Sequence, residues 1–231
     1  MIPQSLIQAR IDFAMMTIMI KGIIFDLDDT LLKTQQTKFR ALKAAGKQFY
    51  NQDITDEHLL AHWGKPFPVL MDELFLRAEP TDRLIANYMS IVRNFQNQAY
   101  DDALRAISGL GQTYHLGILS SASRDLVLHD LQTSGFDADS FVHIQSANDT
   151  LVHKPDPAVF QPLLQRFANE TISAEHLLYI GDMESDYLAS TGAGLHFVGI
   201  ARTPAQQAMF SRIGAPSIAS LEALQAYVER L

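Results

Sequence analysis

Apolar residues along this chain are arranged in two ways. Short runs such as Ile23-Ile24-Phe25, Gly117-Ile118-Leu119 and Leu178-Tyr179-Ile180-Gly181 each stop at a serine or an aspartate. An apolar run of that length closed by a polar residue predicts a parallel strand, covered on both faces, whose carboxyl end opens into a site. Longer stretches instead place an apolar residue every three or four positions, the spacing of an amphipathic helix. Over 34–50 that repeat is carried by Phe39, Leu42, Ala45 and Phe49.

The pattern predicts strands at 18–25, 115–120, 141–145, 177–181, 196–200 and a short one near 217–218. From His115 onward they alternate with helices predicted at 124–134, 157–168, 184–191, 204–212 and 220–230. Gly135 would stop the first of these, and Pro157 suits a first helical turn, where its missing N–H leaves nothing unpaired. Such alternation predicts an α/β fold, a doubly wound parallel sheet with helices on both faces. Between about Lys33 and Ala103 the pattern is helical throughout. Thr55 is placed to cap a short helix, with Asp56 and Glu57 in its first turn. A break at 64–68 precedes a helix over 69–77. Pro80 ends that helix, and Thr81 is expected to cap a long one carrying Leu84, Ile85, Tyr88, Val92 and Phe95. This stretch is too long for a simple crossover, so it is expected to form its own bundle over the cleft. The expected division is a core of 17–32 and 104–231, a helical insertion at 33–103, and an extension at 1–16. Met16 and Met19 are candidate natural starts.

Composition narrows the function. Of 231 residues, 47% are apolar, enough for a packed core. The net charge of −8 argues against a nucleic-acid or membrane binder, which would present a basic patch. An anionic substrate stays open, because a metal ion and one lysine reverse the local field. With no cysteine, the chain has no disulfide, thiolate metal site or cysteine nucleophile. The apolar segment ahead of Phe25 is interrupted by Lys21 and is too short to span a bilayer. A soluble, cytoplasmic protein is expected. None of the eight histidines is assigned to a zinc site, and Trp63 and the phenylalanines are expected in the core.

Polar residues at the predicted strand ends are the candidate chemistry. Asp26 and Asp28, two apart, would point to one side of an extended segment. Carboxylates that close call for a metal, a shared proton or divided roles, unless they merely cap the next helix. Ser120 and Ser121 would hold a phosphoryl oxygen or simply begin a turn. Lys154 precedes Pro155-Asp156-Pro157, a stiff segment that would fix where its ammonium points, although most lysines are solvated. Asp182 and Asp186 would lie on one side of a helix start, either as ligands for a hard cation or as dipole partners.

Together these pieces resemble the motifs of the haloacid dehalogenase superfamily of phosphotransferases. Asp26-Leu27-Asp28-Asp29-Thr30 resembles its D-x-D-x-T first motif, and Ser120 its second. Lys154 resembles its third, and Gly181-Asp182 with Asp186 its fourth. Their order and wide spacing match over nearly all the chain after residue 17. The resemblance implies a Rossmann-like core with an inserted α-helical bundle cap, as in the phosphoglycolate phosphatase-like and β-phosphoglucomutase-like branch. It implies that Asp26 takes the phosphoryl group, that Asp28 serves as acid and then base, and that Thr30 supports the turn and Asp28. Ser120 and Lys154, with Ser121 beside them, would hold the phosphoryl oxygens. Asp26, Asp182 and the Asp28 carbonyl would bind Mg²⁺, while Asp186 would orient the metal's waters or Lys154. Gly64, Lys65 and Arg93 are candidates for reading the substrate from the cap.

Asp28 favours an oxygen leaving group, because a departing halide needs no proton. The expectation is therefore a Mg²⁺-dependent phosphatase of a small phosphorylated metabolite. A phosphosugar mutase, or a non-catalytic regulator that keeps the fold, are the alternatives. A two-component receiver domain would be about half this length and would lack the helical insertion. Asp29, where many relatives have glycine, and Lys33, where many have an acid, depart from the pattern. The sequence leaves the oligomeric state open.

Overall fold

The computed structural model describes residues 19–63, 65 and 67–231. The expected extension, the beginning of the first strand and Gly64 lie outside the described residues. Six strands form one sheet: β1 (Gly22–Phe25), β2 (His115–Leu119), β3 (His143–Gln145), β4 (Leu177–Gly181), β5 (His196–Ile200) and β6 (Ser217–Ile218). Their order is β3-β2-β1-β4-β5-β6, with every pairing parallel. The chain winds outward from β1 through β2 to β3, then returns to β4 on the other side of β1. Such a reversal leaves a crevice at the carboxyl ends of the central strands.

Alternating side chains serve two layers. Ile23, Phe25, Ile118, Ile180 and Val198 pack on one face, and Ile24, Leu119, Tyr179 and Phe197 on the other. Between β1 and β2 come α1 (Thr34–Tyr50), α2 (Asp56–His62), α3 (Phe67–Leu74), α4 (Thr81–Val92) and α5 (Asp101–Leu110). The first four bury Phe39, Leu42, Leu59, Met71, Leu84 and Tyr88 against one another, a core separate from the sheet. Helix α5 instead packs Ala103, Ile107 and Leu110 on the first face. It is joined there by α6 (Arg124–Thr133) and α10 (Leu224–Val228). The second face is covered by α7 (Gln161–Asn169), α8 (Glu184–Gly192) and α9 (Pro204–Ile213). This is the expected doubly wound sheet with an inserted helical bundle. No described helix is long and apolar enough to cross a membrane.

Several elements depart from the expected bounds for local reasons. Within the described residues the first strand runs from Gly22; Lys21 just before it still donates its N–H to His176 O at 2.8 Å and accepts the His115 N–H at 3.0 Å, while Met19 is solvent-exposed. Helix α5 was not expected, although its apolar residues recur at helical spacing. Pro162 lacks a donor, so the helix expected over 157–168 is a 3₁₀ turn, Pro157–Phe160, followed by α7. A 3₁₀ turn likewise precedes α10. Thr55 caps α2 as expected, accepting the His58 N–H at 3.2 Å. Thr81 does not cap α4: Pro80 takes that position, and the Thr81 hydroxyl donates to Asp72 on α3 at 2.6 Å. Helix α4 also ends at Val92, short of Phe95.

The two connections between sheet and bundle pair with each other. Lys33 N–H donates to Gln98 O at 2.8 Å, and Tyr100 N–H to Leu31 O at 2.9 Å. Lys33 adds an ion pair to Asp101 at 3.2 Å, so a lysine at that position is held by an acid from the return connection. Beneath them Arg202 donates to Asp102 at 3.1 Å and to the Thr30 carbonyl at 2.8 Å, and stacks 3.5 Å over the Tyr100 ring. The Ser220 hydroxyl and the Leu221 N–H also donate to Asp102, each at 2.8 Å. Burial pushes the Asp102 carboxyl up, but its donors outweigh burial and hold it below the usual range.

The arrangement predicts that Asp102→Ala, which strands a largely buried guanidinium, costs on the order of 3–5 kcal/mol in urea denaturation at pH 7. The carboxylate's contribution is present above the ordinary aspartate range and is lost as pH falls through its depressed value. A cost below about 1 kcal/mol at pH 7 would show that the network adds little.

Candidate active site

The carboxyl end of β1 carries the first acidic residue. Asp26 N–H donates to Ile180 O at 2.8 Å, which keeps Asp26 in line with β4. The chain then turns sharply, and the Leu31 and Leu32 N–H groups both donate to Leu27 O, at 3.0 and 3.1 Å. Asp29 sits in this turn with φ of +55°, a left-handed conformation that favours glycine and that aspartate tolerates better than most residues. Its carboxylate accepts the Gln35 N–H at 2.8 Å, serving the start of α1, where Lys33 provides no side-chain cap. An aspartate here thus provides what glycine could not. Burial pushes its carboxyl up to about 6, with the Gln35 bond opposing.

Lys154 reaches Asp26 from the proline-flanked loop. Its Nζ donates to Asp26 Oδ1 and to Asp186 Oδ1, both at 2.6 Å, and to the Tyr179 hydroxyl at 3.2 Å. The Lys154 side chain is only 10% exposed, so these contacts replace water. Burial disfavours the ammonium, but the Asp186 and Asp26 charges outweigh it and keep Lys154 protonated. Asp186 also accepts from the Tyr179 hydroxyl at 3.3 Å and from the Met183 N–H at 3.0 Å. It can tuck under the strand end because Gly181 has no Cβ; one built there would collide with the Asp186 carboxylate.

Asp182 completes the group, with Gln206 Nε2 donating to its Oδ2 at 3.0 Å. One carboxylate oxygen from each of Asp26, Asp182 and Asp186 lies within 4.8 Å of the others, and all three residues are buried. Burial pushes Asp26 up to about 7 against the opposing Lys154 charge, with the Asp186 and Asp28 charges adding to the rise. Burial and then the Asp186 and Asp26 charges raise Asp182 well above its ordinary value. Three buried carboxylates against one ammonium leave an excess of negative charge. Among the described residues, no donor reaches Asp26 Oδ2 or Asp182 Oδ1. Hard oxygen atoms around unneutralised charge suit a divalent cation such as Mg²⁺.

The remaining candidates are placed as follows. Strand register sets Ser120 beside this cluster, one residue beyond the position level with Asp26. It is buried, donates its N–H to Gln145 O at 3.0 Å, and accepts the Ala122 N–H on its hydroxyl at 3.1 Å. Ser121 is exposed. Asp28 stays outside the three-carboxylate group and is 34% exposed, facing Lys38 of α1 at 3.6 Å. Thr30 is fully buried; its hydroxyl has no hydrogen-bond partner among the described residues, while its carbonyl takes Arg202. Lys65 pairs with Glu73 on α3, and Arg93 is exposed at the end of α4. Trp63 packs edge-on against Phe39, at 5.0 Å between ring centroids. His58 and His62 stand four apart on α2, a spacing that can bind zinc. Here His62 Nδ1 lies 2.8 Å from the His58 carbonyl and its Nε2 3.6 Å from Glu73, which Lys65 already holds.

Sequence reasoning missed Tyr179, Gln206 and Lys38. Tyr179 reads as one more apolar strand residue. Gln206 was legible only as the fourth residue of a capping box opened by Thr203.

A family model described as haloacid dehalogenase-like hydrolase matches residues 23–200. The chain is 29% identical over 194 residues to a protein of Anoxybacillus flavithermus named pyrophosphatase PpaX, covering 80% of this chain and 85% of that protein. It is 24% identical over 192 residues to a protein of Yersinia pseudotuberculosis named phosphoglycolate phosphatase, covering 78% and 81%. Among solved structures, YfnB of Bacillus subtilis bound to magnesium aligns with a TM-score of 0.72 at 22% identity, covering 91% of this chain and 99% of that one.

Close approach at Gly181 yields a stability prediction. Gly181→Ala should cost about 1–3 kcal/mol in urea denaturation, the range for overpacking a tight site. Gly109→Ala on α5, where a Cβ meets nothing within 4 Å, should gain about 0.5–1 kcal/mol. Equal effects at the two positions would contradict the contact between the strand end and Asp186.

Proposed function

Because the chain belongs to the haloacid dehalogenase-like hydrolases, we propose that it is a Mg²⁺-dependent phosphatase that hydrolyses a small phosphorylated metabolite through a phosphorylated Asp26. The observation that carries this reading is the buried group in which one ammonium, Lys154, bridges Asp26 and Asp186 at 2.6 Å each, with Asp182 alongside. Relatives named pyrophosphatase and phosphoglycolate phosphatase support it.

In this mechanism the Asp26 carboxylate attacks phosphorus and the bond to the ester oxygen breaks. Asp28, as the carboxylic acid, gives its proton to that departing oxygen. The alcohol leaves, and Asp28, now a carboxylate, takes a proton from water as the water attacks the aspartyl-phosphate. Inorganic phosphate departs and Asp26 is regenerated. Lys154 stays protonated throughout and, with Ser120, holds the phosphoryl oxygens as their charge grows. Asp186 positions Lys154, and Gln206 fixes the orientation of Asp182. Asp26, Asp182 and the Asp28 carbonyl would hold Mg²⁺, which would supply further neutralisation of the phosphoryl oxygens when bound. Helices α1 to α4 act as a cap over the core that carries the sheet. Closure excludes water and reads the leaving group, and Lys65 and Arg93 lie on the cap. A cytoplasmic location suits a substrate that is a small metabolite.

A screen of phosphorylated metabolites with Mg²⁺, reading free phosphate, tests the reading. Phosphate should appear without a bisphosphate activator, which separates hydrolysis from a mutase reaction. EDTA should abolish the activity and excess Mg²⁺ should restore it; activity indifferent to chelation would remove the metal from the account. Asp28→Asn should slow esters with poor leaving groups by about 10²–10⁴-fold and activated aryl phosphates much less. Equal losses on both would exclude Asp28 as the acid.

A further inference from the structure

We propose that Lys38, on α1 of the insertion, determines specificity by binding a second anionic group on the leaving side of the substrate. The favoured substrates would then carry a carboxylate or phosphate within two or three bonds of the scissile ester oxygen. The inference rests on the phosphatase reading and deepens it.

Position is the first argument. Lys38 Nζ lies 3.6 Å from Asp28 Oδ1, and in the proposed mechanism Asp28 protonates the leaving oxygen. Among the described residues the Lys38–Asp28 contact is the one ion pair between the helices of the insertion and the first-motif carboxylates; Asp29 meets α1 through the Gln35 N–H instead. The other cations nearby are engaged elsewhere. Lys43, Lys47 and Lys65 pair with Asp56, Asp53 and Glu73 within the insertion. Lys154 is committed to Asp26 and Asp186, and Arg202 to Asp102 and the Thr30 carbonyl.

Availability is the second argument. The two side chains of the pair are 39% and 34% exposed, and at 3.6 Å they make no hydrogen bond. Such a pair is weak and exchangeable, so a substrate anion can take the ammonium from Asp28 at little cost. Electrostatics is the third. Lys38 is paired with Asp28, and its charge also acts on the carboxyls of Asp29 and Asp130, so it offsets several acids on one side of the site. Without the lysine an anionic leaving group would be repelled by these carboxylates, whereas a neutral one would be indifferent to them.

The test compares 2-phosphoglycolate with phenyl phosphate, whose leaving group is uncharged, using the full-length protein with saturating Mg²⁺. The wild type should prefer 2-phosphoglycolate in kcat/KM. Lys38→Met should lower the ratio of the two kcat/KM values about tenfold, mostly through KM for 2-phosphoglycolate, and Lys38→Arg should retain most of it. A purely structural role for Lys38 would lower both substrates together and leave the ratio unchanged, which would overturn the proposal. A wild-type preference for phenyl phosphate would overturn it too, with the phosphatase reading intact. Release of phosphate from neither substrate by the wild type would overturn the phosphatase reading and this inference with it.

Discussion

The Lys154 ammonium, held between Asp26 and Asp186, is the contact on which the rest of the site depends. Its ligands come from the ends of β1 and β4 and from the start of α8. The lysine itself arrives from a loop 128 residues after Asp26. Without the ammonium, the buried carboxylates would face one another unneutralised, and burial would drive them to take up protons. With it, Asp26 is oriented, while burial and the other carboxylates still hold Asp26 and Asp182 above their ordinary range. The parallel sheet matters to function because it brings these strand ends level. Gly181 matters because it gives the Asp186 carboxylate room to reach the lysine.

A second set of contacts links this centre to the inserted helices. Arg202 grips the Thr30 carbonyl in the turn after β1, the Tyr100 ring in the return connection, and Asp102 at the start of α5. The turn, the hinge and the core are thereby held by one guanidinium, whose planar fork suits several partners at once. On the other side of the same turn, Asp29 serves the start of α1. The helix that carries Lys38 is thus fixed directly to the turn that carries Asp28 and Asp29.

Much of this was legible in the sequence, for identifiable reasons. Apolar runs closed by Asp26, Ser120 and Asp182 mark strand ends because a buried parallel strand tolerates no polar residue until it opens into solvent. The extent of α1 followed from its apolar spacing, and the cap of α2 from Thr55. Helix α5 escaped because it falls where insertion and core meet, and its apolar face packs on the sheet rather than on the bundle. The lengths of the Pro157 and Ser220 helices were misjudged because 3₁₀ turns share the apolar spacing of an α-helix over one turn. Tyr179, Gln206, Lys38 and Arg202 carry no local signal: each reads as core, cap or solvated surface until the fold sets it beside a partner. Arg202 and Asp102 are 100 residues apart, and nothing near either one announces the other.

The central claim concerns a covalent bond at one side chain. The protein would be mixed with Mg²⁺ and a turned-over phosphate ester, quenched in acid within the first turnovers, digested, and its peptides weighed by mass spectrometry. The account predicts a mass increment of one phosphoryl group on the peptide that contains Asp26, located to that residue by fragmentation and absent from Asp26→Asn. A phosphoryl group on any other residue, or undiminished turnover by Asp26→Asn, would contradict it.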